Sequence, residues 1–161
     1  MKKLTVIFFA LIMCSVAHAE SYKGISLASV EIEALGIDGP SPKVIIGKIG
    51  SSLSPNITSE FRLGLSAGSD DFNNIDFKIK NMFGAYMKIH PSEGATKPYF
   101  AIGLTRGKLE LSNSTASQSD SEDDLSYGVG VDFANGLNIE YMKYIDKESV
   151  EFNGLSFGFT F

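Results

Sequence analysis

Cysteine, tryptophan and long apolar runs are scarce in this sequence. It has one cysteine and no tryptophan among 161 residues. The cysteine, Cys14, lies in an apolar run close to the N-terminus, so the chain beyond that run has no thiol for a disulfide. After it, no apolar stretch approaches the roughly 20 residues that a membrane-spanning helix needs. The fold must therefore be held by noncovalent contacts, and the chain is either soluble or crosses a membrane as a barrel of strands.

The N-terminal run has the pattern of a secretory signal peptide. Two lysines precede an apolar stretch over residues 4–17, and small side chains stand at Ala17 and Ala19. A signal peptidase reads small residues at these positions, so we predict export by the general secretory route and cleavage after Ala19. A lipoprotein site at Cys14 is disfavoured, because Met13 is too large for the position before an acylated cysteine.

Removal of residues 1–19 as a signal peptide leaves a predicted barrel domain over residues 20–161. This length suits one domain and is too short for two. Two lysines leave with the signal, so 12 basic residues remain against 19 acidic ones and the net charge is −7. An acidic chain of this kind is a poor partner for nucleic acid, and we predict no nucleic-acid binding.

Alternation of apolar and polar residues predicts an all-β chain of eight strands. The clearest is the last, in which Leu155, Phe157, Phe159 and Phe161 share one face and small or polar residues occupy the other. The eight predicted segments cover residues 22–35, 43–53, 59–68, 75–90, 99–111, 125–133, 137–145 and 151–161.

Several local features qualify this pattern. The parity of the apolar residues changes near Ser29, which predicts either a bulge in the first strand or a change of its environment. Residues 113–124 are polar and rich in serine, and predict a long loop. The fourth segment predicts one apolar face from Ile75 to Ile89, and the seventh places Ile145 on its outer apolar face. Asn135-Gly136 predicts a tight hairpin turn.

The alternation suits both a soluble sandwich of two sheets and a membrane barrel, and two features favour the barrel. The connections after the second, fourth and sixth segments are short, whereas those after the third, fifth and seventh are polar and acidic, as in an up-and-down barrel. Glycine recurs on the non-apolar face, where it weakens an exposed strand but fits the narrow interior of a small barrel. We therefore predict an eight-stranded antiparallel up-and-down transmembrane β-barrel.

The C-terminal part of the chain carries a family resemblance. Residues 126–133 (SYGVGVDF), the Asn-Gly turn and the last two strands resemble the final strands of small Gram-negative outer-membrane barrels of the OmpX, Ail, OmpA-transmembrane and opacity-protein types. The resemblance implies a protein integral to the cell outer membrane, with loops at the surface. It also implies insertion by the barrel assembly machinery, which would read the aromatic C-terminal signal at Leu155, Phe157, Phe159 and Phe161. It implies no single activity.

Charged residues on the non-apolar faces are the nearest feature to a site. By parity they face the lumen, where they should pair across neighbouring strands, because an uncompensated buried charge is costly. An electrostatic plug that fills the barrel is favoured over a gated path for ions or small solutes. The predicted lumen charges are Glu60, Arg62, Asp76, Lys78, Lys80, Lys88, Asp132 and Glu140.

Catalytic and cofactor motifs are not found. The sequence has no phosphate-binding loop, zinc-ligand spacing or nucleophile elbow. The His/Ser arrangement of lipid A deacylases has one candidate, His90-Pro91-Ser92, which falls at a predicted periplasmic turn without a carboxylate to orient the imidazole. We expect no enzyme activity, no cofactor and no metal.

An acidic cluster marks the predicted loop before residue 125. A solvated surface loop is favoured over a calcium or magnesium site that bridges to lipopolysaccharide phosphates, because the spaced ligands and turn glycine of an EF-hand are missing. The cluster comprises Asp120, Glu122, Asp123 and Asp124.

The function predicted from these observations is a structural or surface-interaction role in envelope integrity, adhesion or lipopolysaccharide contact. The predicted partners are outer-membrane lipid, lipopolysaccharide, the barrel assembly machinery during insertion, and an extracellular ligand or host surface. A narrow porin-like channel for ions or small solutes is the alternative, and a soluble periplasmic sandwich is a third interpretation.

Overall fold

A computed structural model of the protein describes residues 21–34, 39–92, 94–113, 116–147 and 150–161. The predicted signal peptide lies outside the described residues, as does part of the first predicted turn. Across the described ranges, no helix is long and apolar enough to cross a membrane. Within these described ranges the strands are β1 (Ser21–Ala34), β2 (Lys43–Ser54), β3 (Ile57–Gly68), β4 (Asp70–Phe72), β5 (Ile75–Ile89), β6 (Thr96–Ser112), β7 (Ser117–Phe133), β8 (Leu137–Lys147) and β9 (Val150–Thr160).

Eight of these strands close into a ring. The sheet order is β3-β2-β1-β9-β8-β7-β6-β5-β4, and a further antiparallel pairing of β3 with β5 joins its two sides. The first and last strands of the chain also pair, from Gly24 opposite Thr160 to Ala34 opposite Val150. The short strand β4 pairs only with the end of β5 and extends one hairpin. The predicted eight-stranded antiparallel barrel is therefore confirmed.

The barrel has two distinct ends. Short turns follow β2, β5 and β7 at the end where β1 starts and β9 finishes, and we call this the turn end. The opposite end, called the loop end, carries the connections after β1, β4, β6 and β8. The predicted Asn135-Gly136 hairpin lies at the turn end, where Gly136 has a φ of 84° and its N–H donates to the Phe133 carbonyl. A positive φ is the reason for glycine at this position.

A belt of exposed apolar side chains surrounds the barrel. The predicted outward residues of β9 are all on it, with exposures of 45% at Leu155, 53% at Phe157, 56% at Phe159 and 76% at Phe161. So large a continuous apolar surface is unstable in water and suits contact with lipid chains. Other members of the belt are Ile25, Leu27, Ile45, Ile49, Leu63, Leu65, Phe83, Met87, Ile89, Phe100, Ile102, Leu104, Leu125, Tyr127, Val129 and Tyr141.

The interior consists of two layers of different chemistry. Charged and polar side chains fill the half nearer the turn end, as the parity of the strands predicts. Apolar side chains fill the half nearer the loop end, which the sequence pattern did not predict. This apolar layer is formed by buried Val30, Ile32, Val44, Ile46, Ile79, Met82, Ile145 and Phe152.

The first strand has a change of environment near Ser29, one of the two predicted alternatives, and no bulge at that residue. Its pairings with β2 and β9 run through that residue without a register shift. Val30 and Ile32 are buried inside the barrel, in the same inward phase as Ser26 and Ala28. The parity of apolar residues changes because the interior itself becomes apolar towards the loop end, while the strand keeps the same face inward.

Two bulges reverse the facing of residues near the loop end. A register shift between Ile79 and Asn81 leaves Ile79 fully buried inside, although the alternation had placed it on the outer face. A second shift between Lys143 and Ile145 turns Ile145 inward in the same way. A one-residue bulge moves every residue beyond it to the other face, so period-two counting is wrong past these points.

The predicted polar loop before residue 125 is largely strand. Residues 117–124 continue β7 and pair in unbroken register with β6, from Ser117 opposite Ser112 to Asp124 opposite Thr105. The four acidic residues of the cluster therefore stand on a β-hairpin, not in a loop. Low strand propensity was overridden by pairing with an existing neighbouring strand.

Gly130 tests the argument that the interior needs glycine. A Cβ at Gly130 would overlap the Tyr99 ring and lie 2.8 Å from the Ile139 carbonyl oxygen. At the outward-facing Gly47 the nearest atom would be the Leu63 carbonyl oxygen, at 3.8 Å. We expect Gly130→Ala to lower the free energy of unfolding by about 1–3 kcal/mol through overpacking.

Denaturant unfolding of detergent-solubilised protein measures this difference. Gly47→Ala is the matched control and should be neutral or stabilise by about 0.5 kcal/mol, because it reduces the freedom of the unfolded chain. Equal losses for the two variants would contradict the steric explanation.

Candidate functional site

The structure brings together five of the eight predicted lumen charges. Glu60, Arg62, Lys88 and Glu140 are buried inside the barrel, and Asp132 is half-buried at the turn end of the same cluster. β3, β5, β7 and β8 supply these residues. They approach one another because the barrel closes, since residues such as Arg62 and Glu140 are 78 positions apart in sequence.

The other three predicted lumen charges do not join this cluster. Asp76, Lys78 and Lys80 lie at the loop-end part of β5, at and beyond the bulge that follows Ile79. Lys78 and Lys80 are exposed and Asp76 is partly exposed. Lys80 forms an ion pair with Glu110 on the neighbouring strand. The prediction that Lys78 and Lys80 face the lumen is wrong, because the bulge reverses their facing.

Arg62 is the centre of the buried cluster. Its Nη1 and Nη2 donate to the two carboxylate oxygens of Glu140 at 2.6 Å each, which is a bidentate pair. Its Nε donates to Glu60 Oε1 at 2.5 Å. The guanidinium also lies 4.3 Å from the centre of the Tyr86 ring. One cation thus holds two carboxylates, one from its own strand and one from the far side of the barrel.

Lys88 organises the part of the cluster nearest the turn end. Its Nζ donates to Asp132 Oδ2 at 2.7 Å and lies 4.0 Å from Glu60 Oε2. The ammonium is also 3.9 Å from the centre of the Tyr99 ring, a distance typical of cation–π contact. The Tyr22 hydroxyl also binds Glu60, by donating a hydrogen bond to its Oε2 at 2.6 Å.

Sequence reasoning missed four members of this cluster. Lys48 donates to Asn138 Oδ1 at 3.0 Å and lies 3.8 Å from Glu140 Oε1. Tyr99 donates to Glu140 Oε2 at 2.9 Å and accepts from Asn138 Nδ2 at 2.8 Å. Tyr22, described above, is the fourth. Lys48 was missed because apolar residues occupy both faces of β2, so alternation alone did not show which face is inward.

The cluster is electrically balanced. Lys48, Arg62 and Lys88 supply three positive charges, and Glu60, Asp132 and Glu140 supply three negative ones. Charges buried to this degree are tolerated only when each is paired and hydrogen-bonded. Since every ionic group of the cluster has an opposite charge within 4.0 Å, the barrel interior carries no net charge at this level.

A chain of hydroxyl groups lies between the ionic cluster and the apolar layer. Tyr86 shares a short hydrogen bond with Thr105, and Thr105 shares one of 2.5 Å with Ser126. Ser126 Oγ donates onward to the Tyr144 carbonyl at 2.8 Å. These bonds link β5, β6, β7 and β8 across the interior.

A cavity of about 550 Å³ lies at the turn end. Its lining includes Tyr22, Lys88, His90, Lys97 and Asp132, so its inner wall is the lower surface of the ionic cluster. His90 is 8% exposed and its ring centre lies 5.5 Å from that of Tyr99. Ser92, its neighbour in the deacylase-like motif, is exposed.

The acidic residues of β7 take part in contacts at the loop end. Asp124 Oδ2 accepts from the Asp146 backbone N–H at 2.9 Å, and Glu122 pairs with Lys147. These contacts join β7 to β8. Within the described residues, no group of three or more histidine, cysteine, aspartate or glutamate side chains is arranged to hold a metal ion.

Several solved outer-membrane barrels are similar in structure. Ail, the attachment invasion locus protein of Yersinia pestis, is 20% identical with a TM-score of 0.63, over 89% of this chain and 99% of that chain. Neisserial surface protein A is 16% identical with a TM-score of 0.69, over 89% and 97%. OprG from Pseudomonas aeruginosa is 12% identical with a TM-score of 0.54, over 91% and 98%. At these identities the likeness shows the shared fold.

Sequence comparison gives the family. No curated protein sequence matches this chain. A family model described as "Outer membrane protein beta-barrel domain" matches residues 6–161, which is nearly the whole chain. The match agrees with the closed barrel, with the apolar belt and with the fold of the structural neighbours. The chain therefore belongs to the outer membrane protein β-barrel family and is a protein of the outer membrane.

Proposed function

We propose that this protein is a noncatalytic outer-membrane anchor that presents its loop end as an interaction surface at the cell exterior. The observation that carries the proposal is the filled interior: a balanced ionic cluster lies beneath an apolar layer, so the barrel is built to be rigid. In adhesion or envelope integrity, the barrel serves as a rigid support and the residues exposed at the loop end make the contacts.

The filling of the interior argues against a permanent pore. The side chains of Arg62 and Glu140 are 2% and 0% exposed, so water does not reach their ion pair from either end. Above them, Ile79 and Ile145 in the apolar layer are fully buried. An ion that crossed would have to break the charge pairing and then pass a layer without polar partners.

The β6–β7 hairpin is the main feature available for surface contact. Both strands have 17 residues, against 11 in β8 and β9. Their last outward apolar residues are Leu104 and Leu125, so residues 105–112 and 117–124 extend beyond the belt. At about 3.4 Å per residue, the hairpin projects up to roughly 27 Å along its strands.

A similar barrel offers a precedent for ligand binding. Ail has been solved in complex with the heparin analogue sucrose octasulfate, and that Ail structure is 19% identical to this chain with a TM-score of 0.62. The precedent supports an extracellular ligand for this chain, bound at the loop end.

A narrow channel is the second candidate function. It is favoured by the 550 Å³ cavity at the turn end, which reaches Lys88 and Asp132 and would form the entrance of a path. Opening would require Arg62 to exchange carboxylate partners and the apolar layer to part.

Planar-bilayer recording distinguishes the two functions. We expect wild-type protein and Arg62→Met to be equally silent, because removal of one ionic side chain leaves the apolar layer closed. Discrete conductance steps in wild type, increased in Arg62→Met, would support the channel and contradict the anchor.

Unfolding measurements test the coupling within the ionic cluster. Arg62→Met should lower the free energy of unfolding by about 3–5 kcal/mol, because Glu60 and Glu140 lose their shared cation. The double variant Arg62→Met/Glu140→Gln removes one charge of each sign, so the cluster stays neutral and about half of the loss should be recovered. Additive losses in the double variant would show that the pair is not coupled.

Protease shaving of intact cells tests which end faces outward. A short protease site inserted after Ser112, in the β6–β7 turn, should be cut from outside because the hairpin projects there. The matched insertion after Asn135, in a turn-end hairpin, should be cut only after the outer membrane is permeabilised. Heat-modifiable migration on gels verifies that both variants fold, and the reverse cleavage pattern would overturn the proposal.

A further inference from the structure

The sheet that projects at the loop end has an apolar inner face. Ile79 is fully buried inside the barrel, and its partner in the register is Leu109. Directly paired residues of neighbouring strands lie on the same face, so Phe77 and its partner Leu111 continue this face away from the membrane. The hairpin of β4 and β5 adds one more pair in the same phase. We call these residues the inner apolar stripe: Phe72, Ile75, Phe77, Leu109 and Leu111.

The inner apolar stripe is open to water. Phe72 and Ile75 are 41% and 37% exposed, and the other members of the stripe are partly exposed. Ile75 is eight residues beyond Phe83, the last belt residue of β5, or up to about 27 Å along the strand. Lipid chains do not cover residues so far beyond the belt, so this surface is suited to a partner at the cell exterior.

An acidic column lies beside the stripe, on the same face of β7. Asp120 is paired with Leu109 of the stripe. Asp124 is paired with Thr105, which is buried inside the barrel, and Glu122 lies between the two aspartates in the same phase. We call Asp120, Glu122 and Asp124 the acidic column.

The inner face of the loop end is net negative. Asp70 adds a fourth carboxylate to the acidic column, since it is paired with Phe77. Among the loop-end residues that the structure describes, Lys147 is the only cation on this face, and it pairs with Glu122. Asp120 and Asp124 accept hydrogen bonds from backbone N–H groups, which leave their charges uncompensated. Four carboxylates against one ammonium leave three negative charges.

The cations of β5 and β6 lie on the other face of the same sheet. There Lys78 is paired with Glu110 in the register, and Arg106 with Asp123. The outer face therefore carries charges of both signs, whereas the inner face combines apolar side chains with an excess of carboxylates.

We infer that the inner face of the loop end binds a cationic amphipathic peptide presented from outside the cell. The apolar side of the peptide packs on the inner apolar stripe, and its lysine or arginine side chains pair with Asp120 and Asp124. The two surfaces are adjacent, as they are on such a peptide, because neighbouring strands lie about 4.8 Å apart. Four strands give a face roughly 14 Å wide, which accommodates the 10–12 Å diameter of a helix.

The inference deepens the proposed surface role, and it rests on that role for its place at the cell exterior. A binding experiment on purified protein separates the two, because binding in a lipid nanodisc does not depend on orientation in the cell. Protease shaving and peptide binding can therefore fail independently.

Fluorescence anisotropy of labelled peptides measures the binding. The protein is placed in nanodiscs of zwitterionic lipid, and empty nanodiscs give the baseline for binding to lipid. The probe is an amphipathic peptide of about 14 leucine and lysine residues, which spans roughly 21 Å as a helix. One control peptide has glutamate in place of lysine, and another has serine in place of leucine. Wild type should bind the leucine/lysine peptide well above both controls, and more weakly as salt is raised.

Two double variants test the two parts of the face. Asp120→Asn/Asp124→Asn should weaken binding by roughly tenfold, from about threefold for each exposed ion pair lost. Ile75→Ser/Leu111→Ser should also weaken it by roughly tenfold, through lost apolar contact. The matched control is Asp71→Asn/Asp123→Asn, which removes the same charge from the outer face of the same sheet and should bind as wild type does. Heat-modifiable migration verifies that all variants fold.

Several outcomes would overturn the inference. Binding of the glutamate peptide as strong as that of the lysine peptide would exclude charge recognition. Equal loss in the inner-face and outer-face aspartate variants, or no loss in either, would exclude the acidic column. A wild-type dimer in detergent that becomes monomeric in Ile75→Ser/Leu111→Ser would assign the face to a second copy of this chain instead.

Discussion

Hydrocarbon offers no hydrogen-bond partner to a peptide group, so strands can cross a bilayer only when every strand has a neighbour on both sides. In this protein two pairings meet that constraint. β1 joins β9, which brings the two ends of the domain together, and β3 joins β5 across the short excursion of β4. Every other property follows from this closure, because it separates the side chains into an outer and an inner set.

Closure of only eight strands leaves little interior space. Glycine is required where large inner side chains cross the lumen, as at Gly130 beneath the Tyr99 ring. The remaining space holds a neutral ionic cluster centred on Arg62 and an apolar layer centred on residues such as Ile79 and Phe152. The same filling that makes the barrel rigid makes a permanent pore unfavourable, which is why surface interaction is the better-supported role.

The charged residues beyond the apolar belt are not evenly distributed around the barrel. Beyond the belt, outward-facing acidic residues stand on β1 and β9, whereas β5 and β6 carry charges of both signs. The bulge at Lys80 contributes to this difference, since it turns Lys78 and Lys80 from the predicted lumen to the outside. A local backbone irregularity thus places two cations on the outer surface that alternation had predicted to lie in the lumen.

The sequence by itself determined the class of fold and the location in the outer membrane. Alternation over eight segments, small residues opposite aromatic ones, and the terminal Leu155 to Phe161 strand were sufficient to predict the barrel, because side chains on a strand point alternately to its two faces. The same rule placed Glu60 and Arg62 inside. It worked wherever the outside of the barrel is apolar and the lumen is polar.

Only the tertiary structure decided the register, the apolar half of the lumen and the partners within the ionic cluster. Period-two counting cannot detect the bulge after Ile79, because beyond it the interior is apolar and the outside is charged, so the alternation continues with its two faces exchanged. Nor does it show which charges meet, because Arg62 reaches Glu140 only after the whole ring has closed. Alternation is a property of each strand alone, whereas register and cross-lumen pairing depend on every strand at once.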